Sequence, residues 1–231
     1  HSTDDENEIY ELICQMLGLL TKLPRMSSED QISCQNNDIK KLLSNEFVGS
    51  ILKAIGSIST AHRISESLYC LSRVLYYYEE ASASFIETGF FEHLMNFFDE
   101  ALAFADFNEQ TRVIIPIADI MKKCCGSNKD AITILKSNIF NKVIDYLTEL
   151  ISESGEEDAD PSVVSYADRA EDELLKCVNT FLFYYELFEP ETVGYLIDLT
   201  SASIKNKHRH SFKTVCDIIV RLYCREPKMF P

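Results

Sequence analysis

A segment with a distinctive pattern recurs along this chain. It has two apolar residues, a small polar turn containing Asn or Gly, an aromatic residue, and then an apolar pair three and four residues further on. Three clear copies and a weaker fourth cover 42–51, 85–95, 134–144 and 193–198. The equivalent positions are Phe47, Phe91, Phe140 and Val193, which are separated by 44, 49 and 53 residues. Helical repeats stack with a period of about 40–47 residues, and insertions between them fall in loops. The chain is therefore predicted to be repetitive.

Apolar residues also follow a helical spacing outside these segments. Leu68, Leu71 and Leu75 are three or four residues apart within 61–79, as expected for one face of a helix. The same spacing recurs in 108–125, 171–188 and 212–223. The chain contains only 7 Gly and 6 Pro, whereas sandwiches and barrels need many turn residues. An all-α fold is predicted, in which Pro116 is expected to bend or delay its helix.

The period and the helical faces resemble the armadillo/HEAT-like family of helical repeats over roughly residues 39–230. The resemblance implies an all-α, right-handed helical solenoid of about four units, with the last unit cut short after a helix at 212–224. It further implies one repeat domain over 1–231 that is a fragment of a longer protein. Members of the family are mostly non-catalytic scaffolds that bind other proteins. A closed all-helical bundle is the alternative architecture.

The chain departs from one well-known pattern of this family. Importin-type members hold basic peptides with a ladder of Asn and Trp residues, but this chain has no Trp, and Arg73 and Thr180 stand about where the Asn would fall. Binding of nuclear-localisation signals is therefore not expected. Analogy of fold suggests an alternative function, namely the regulatory domain of a larger signalling protein, of the GTPase-binding formin type or the phosphatase-regulatory type.

The acidic balance of the chain limits its partners. Asp and Glu number 37 against 22 Lys and Arg, which gives a formal net charge of −15. Proteins that bind the phosphate backbone need Lys and Arg, so DNA and RNA are not expected as partners, and a nucleic-acid-binding solenoid is the least favoured function. Because no apolar run reaches about 18 residues, no membrane-spanning helix is predicted.

Cysteine usage and the N-terminus indicate the compartment. The eight Cys include no C-x-x-C pair and no Cys/His cluster with the spacing of zinc ligands. The N-terminus is acidic and polar, unlike a signal peptide. The sequence thus predicts reduced cysteines in an intracellular protein, cytoplasmic or nuclear. One thiol of the adjacent pair Cys124 and Cys125 is expected to be exposed, because the pair ends a helix.

No catalytic motif is present. The histidines are His1, His62, His93, His208 and His210, and none lies in a known nucleophile motif. Phosphate-cradling glycine loops and metalloprotease signatures are also missing from the sequence. We therefore predict that the chain is not an enzyme and that it needs neither a cofactor nor a metal.

A row of polar residues is the main candidate for partner binding. Positions two, five and nine after each anchor residue fall on one helical face, and we call the row that they form the polar ladder. Its members are His93, Asn96, Glu100, Lys142, Asp145, Glu149, Tyr195 and Asp198. Stacked repeats place such rows side by side on a concave surface. Acid dominates, so a basic or mixed protein or peptide is the predicted partner, with no oligomeric state indicated. A merely solvated face is the alternative.

Two further stretches are secondary candidates. The insertion 152–161 is strongly acidic and is predicted to be a loop. Within it, Ser152 and Ser154 precede acidic residues and resemble phosphorylation sites of acidophilic kinases. The only basic cluster contains Lys205, Lys207 and Arg209, which are candidates for binding a phosphate or an acidic lipid headgroup. The alternative for both stretches is ordinary solvated loop.

Overall fold

The computed structural model of the protein describes residues 3–22, 45–77, 90–104, 106–154, 161–185, 190–206 and 209–230. Every regular element within these residues is helical and none is a strand, so the predicted all-α fold is confirmed. The α-helices are α1 (Thr3–Lys22), α2 (Asn45–Ile55), α3 (Ala61–Tyr77), α4 (Phe90–Leu102), α5 (Phe107–Cys124), α6 (Asn128–Lys136), α7 (Ile139–Ser154), α8 (Pro161–Tyr184), α9 (Pro190–Lys205) and α10 (Phe212–Arg225). A single 3₁₀ turn follows at Pro227–Met229.

The helices form two compact units, His1–Cys124 and Cys125–Pro231. In the first unit, α3 packs against α5 and α1, and α4 packs against α5 and α2. In the second unit, α8 packs against α6, α7 and α10, and α9 packs against α10 and α7. Thus three helices of the second unit pack against α8.

The repeated segments correspond to the starts of helices. Phe47, Phe91, Phe140 and Val193 lie in the first turns of α2, α4, α7 and α9. The last three are buried in the core and Phe47 is half-buried. The apolar face that the helical spacing predicted is also buried, since Leu68, Leu71 and Leu75 of α3 all lie in the core. Pro116 lies buried inside α5, which continues past it to Cys124.

Side chains define both ends of the short helix α6. At its start, the backbone N–H of Asp130 donates to Ser127 Oγ at 3.2 Å, and Ser127 Oγ donates to the Asp130 carboxylate at 2.7 Å. At its end, Asn138 has a φ of 64°, in the left-handed region that Asn tolerates. Asn141 donates to the side-chain oxygen of Asn138 at 2.9 Å. The polar turn of the third copy is therefore the sharp link between α6 and α7.

Two sequence-based expectations need correction. Cys124 and Cys125 are both buried, because the chain packs inward where α5 ends. Burial, assisted by nearby Asp130, raises the pKa of the Cys125 thiol to about 12. The acidic stretch 152–161 is less of a loop than expected, because α7 continues through Ser154 and α8 already begins at Pro161. Residues 155–160 lie outside the described residues.

Candidate functional site

A surface groove lies between α7 and α9 in the second unit, and we call it the acidic groove. Its volume is about 280 Å³. The residues that line it are Phe140, Asn141, Ile144, Asp145, Thr192, Tyr195 and Leu196. Because positions three and four apart share a helical face, each helix contributes one face to the groove. Two members of the polar ladder, Asp145 and Tyr195, are thereby brought to the same site.

The floor of the acidic groove is apolar. Phe140, Ile144 and Leu196 are buried in the core. The ring of Phe140 stacks on the ring of Phe181 in α8, with 3.8 Å between ring centroids and planes 20° apart. This contact fixes the orientation of the floor, since the ring behind it belongs to the core of the unit.

The rim of the groove is polar and exposed. Asp145, Asn141 and Thr192 are exposed, and Tyr195 retains 40% of its accessible surface. The hydroxyls of Thr148 and Tyr195 share a hydrogen bond, which ties the middle of α7 to α9. The rim tyrosine therefore has a fixed hydroxyl, while its ring presents surface to solvent.

Further acidic side chains follow the groove along both helices. Glu149 lies one turn beyond Asp145 on α7, and Asp198 lies one turn beyond Tyr195 on α9, and both are exposed. Lys142 is half-buried. Asp145 is thus the carboxylate that lines the groove, and Glu149 and Asp198 add negative charge further along the same two helices. Exposed charges of this kind attract a cationic side chain over about 10 Å at ordinary ionic strength.

The other three members of the polar ladder belong to the first unit. His93, Asn96 and Glu100 are exposed on α4. The acidic groove does not include them, so the site described here rests on the second unit alone.

The basic cluster has a feature that the sequence did not reveal. Lys205 and Arg209 are exposed, and Lys207 lies outside the described residues. The backbone N–H groups of Arg209, His210 and Ser211 donate to the carboxylate of buried Asp168 at 3.1, 3.2 and 3.4 Å. The amides at the start of α10 are thus already occupied by an internal carboxylate, so an external anion would depend on side chains.

The two candidate phosphorylation sites differ in what the structure describes. Ser152 is exposed in the last turn of α7, where its hydroxyl donates to the carbonyl of Thr148 at 2.9 Å. The backbone of Ser154 ends α7, and its side chain lies outside the description. Ser152 therefore belongs to a helix rather than to the predicted loop.

The described part of the chain holds no cluster of three or more His, Cys, Asp or Glu side chains arranged to bind a metal ion. A membrane-crossing helix is likewise not found within that part.

Sequence reasoning missed the apolar half of the acidic groove. Phe140, Ile144 and Leu196 were interpreted only as parts of the repeated segments 134–144 and 193–198. Their positions in the sequence could have indicated this role, because Ile144 directly precedes Asp145 and Leu196 directly follows Tyr195 of the polar ladder. Which helices face each other across a groove is set by tertiary packing, which a local spacing does not encode.

Comparison with protein-family models, curated proteins and solved structures found no match to this chain.

Proposed function

We propose that this chain is a non-catalytic protein-interaction domain whose acidic groove binds a basic segment of a partner protein. The groove itself is the observation that supports this proposal. Its apolar floor lies beside an exposed carboxylate and a tyrosine whose hydroxyl is hydrogen-bonded to Thr148. A segment that pairs Lys or Arg with a neighbouring apolar residue satisfies both parts. Tyrosine is enriched at such interfaces because its ring is amphipathic and costs little entropy to order.

The proposal includes the repeat architecture. Helix pairs that begin near the predicted anchors support an armadillo/HEAT-like stack, in which extended surfaces serve as binding sites. A scaffold of this kind, with reduced cysteines, would work inside the cell, in the cytoplasm or the nucleus. An experimental structure of the chain that showed a closed bundle instead of stacked units would contradict the architectural part.

Selection from a phage-displayed library of random peptides tests the binding. We expect peptides that combine Lys or Arg with an adjacent apolar residue to be enriched. In Asp145→Lys, affinity for the synthetic enriched peptide should fall about tenfold or more, because a close opposite charge is replaced by a like charge. Fluorescence anisotropy at low and high salt would measure it, and binding should weaken as salt rises.

A charge-matched control separates the groove from the overall acidity. Glu11→Lys changes the net charge equally at an exposed position of α1 in the first unit, and it should leave affinity within about twofold. Failure to enrich any peptide that combines Lys or Arg with an apolar residue, an equal loss in Glu11→Lys, or no effect of Asp145→Lys would reject the acidic groove as the site.

A further inference from the structure

A second surface of the second unit has the opposite electrostatic character. It is a groove of about 430 Å³, and we call it the arginine face. The residues of α10 that line it are Asp217, Val220, Arg221, Cys224 and Arg225. In a chain with a net charge of −15, two arginines in one groove are a local reversal of the prevailing sign.

Arg221 is held in a defined conformation by α8. Its Nε donates to the side-chain oxygen of Asn179 at 2.7 Å, and its guanidinium lies 4.9 Å from the ring centroid of Phe183. The hydrogen bond and the cation–π contact together restrict a side chain that would otherwise sample many rotamers. The guanidinium is therefore oriented before any partner arrives.

No carboxylate neutralises this guanidinium among the residues that the structure describes. Asp217 lies one turn earlier in the same groove but forms no ion pair with Arg221. By contrast, Lys176 of α8 pairs with both Asp172 and Glu173 at 2.8 Å. Within the same part of the chain, the two terminal nitrogens of Arg221 also have no hydrogen-bond acceptor.

Arg225 has a different role. It donates to the backbone carbonyls of Tyr185 and Phe183, at the end of α8. Cations stabilise the C-terminal ends of helices, where carbonyl groups lack partners within the helix. Arg225 therefore fixes α10 to α8, and it does not present open terminal nitrogens as Arg221 does.

Apolar surface adjoins the oriented arginine. Val220 and Phe183 retain 60% and 54% of their accessible surface, and both lie next to Arg221 in sequence or in contact. Two large apolar side chains beside an arginine form the combination that is enriched at the centre of protein interfaces.

We propose that the arginine face binds an acidic segment of a partner protein. An Asp or Glu carboxylate accepts two parallel hydrogen bonds from the terminal nitrogens of Arg221, and the neighbouring apolar side chain of the segment covers Phe183 and Val220. Charge complementarity selects the occupant, since a planar guanidinium matches a carboxylate in bidentate geometry. The prior orientation of Arg221 lowers the entropic cost of binding.

Peptide selection with matched variants tests the arginine face. Wild-type protein is offered a phage-displayed random-peptide library, and enriched peptides are resynthesised together with versions that carry Gln for each Asp or Glu. We expect acidic peptides with an adjacent apolar residue. In Arg221→Gln, affinity should fall about tenfold or more. Arg221→Lys, which keeps the charge but loses the planar fork, should also bind more weakly than wild type.

Arg169→Gln is the control, because Arg169 is exposed on α8 and the change in charge is the same. It should leave affinity within about twofold, and circular dichroism should show each variant folded. Failure to enrich acidic peptides, equal binding of the Gln-substituted peptides, or an equal loss in Arg169→Gln would overturn the proposal. So would a change in oligomeric state with Arg221→Gln, which would make a second copy of this chain the occupant. Because Asp145→Lys leaves this surface intact, the result is independent of the acidic groove.

Discussion

At the scale of single residues, the most strongly perturbed carboxyl in the described part of the chain is Asp119, which joins α5 to α3. It accepts hydrogen bonds from Lys122 and Lys123, each at 2.8 Å, and from Ser72 of α3. Burial alone would raise its pKa, but these hydrogen bonds outweigh burial and lower the pKa of Asp119 to about 2. The charged form is thus stabilised by folding.

We expect Asp119 to make the first unit sensitive to acid. A carboxyl whose pKa is lowered in the folded state contributes stability above its unfolded pKa of about 4, and the contribution disappears as the pH falls towards 2. Asp119→Asn should lower the free energy of unfolding by ~2 kcal/mol near neutral pH, with the difference shrinking below pH ~4. Denaturant titrations at several pH values would measure it. A difference that persists unchanged in acid would contradict the assignment.

The cysteines should differ sharply in reactivity. Cys224 is exposed, whereas Cys124 and Cys125 are buried and the pKa of Cys125 is raised to about 12. The thiolate is the reactive form, so iodoacetamide should modify Cys224 of the native protein well before either buried thiol. Peptide mass mapping over a time course would show the order. Early labelling of Cys125 would mean that the end of α5 opens readily.

At the scale of elements, the start of α10 depends on one buried side chain. Asp168 of α8 accepts hydrogen bonds from three consecutive backbone amides, which otherwise lack helical partners. Asp168→Ala should lower the free energy of unfolding by about 2 kcal/mol, because three backbone donors lose their acceptor and the N–H of Ser211 among them is buried. Thermal or chemical denaturation would measure it, with exposed Glu153→Ala of α7 as a control that changes little.

The helices α1 and α3 run side by side in the same direction. Ser59, just before α3, donates to Glu6 of α1 at 3.0 Å, and further along both helices Tyr10 of α1 donates to Glu66 of α3. One turn further along each helix come Cys14 and Cys70, and the pKa of the Cys70 thiol is raised by burial and then by nearby Cys14. The parallel register thus places two thiols near each other.

We expect oxidised glutathione to link Cys14 and Cys70. The two thiols give up two protons and two electrons, and the products are one protein disulfide and two glutathione thiols. Burial raises the pKa of Cys70 to about 11, so the link should form faster as the pH rises. Non-reducing peptide mapping would identify it, with Cys70→Ser as a control. A disulfide that joins Cys14 to a different cysteine would contradict the register.

The helical faces were predictable from sequence, but their neighbours were not. The spacing of Leu68, Leu71 and Leu75 placed α3 and its buried face, because helical periodicity is a local property. The helical pattern of α10 did not predict the conformation of Arg221, because Asn179 and Phe183 of another helix set that conformation. Contacts between distant residues depend on tertiary packing, so a single sequence does not reveal them.

At the scale of the molecule, the chain divides into two units, and the second unit carries surfaces of both signs. We propose a basic segment as the partner of the acidic groove and an acidic segment as the partner of the arginine face. Salt should weaken both interactions, but charge changes at Asp145 and Arg221 should affect different peptides. An overall charge of −15 therefore describes the chain less well than the separate potentials of its surfaces.

The helix α8 supports both binding surfaces from within. Phe181 stacks beneath the floor of the acidic groove, and Phe183, two residues later, lies under the guanidinium of Arg221. If one ligand displaced this turn of α8, the affinity for the other ligand would change. Thermodynamic linkage makes any such effect reciprocal: the factor by which a basic peptide alters the affinity for an acidic one must equal the factor in the opposite order.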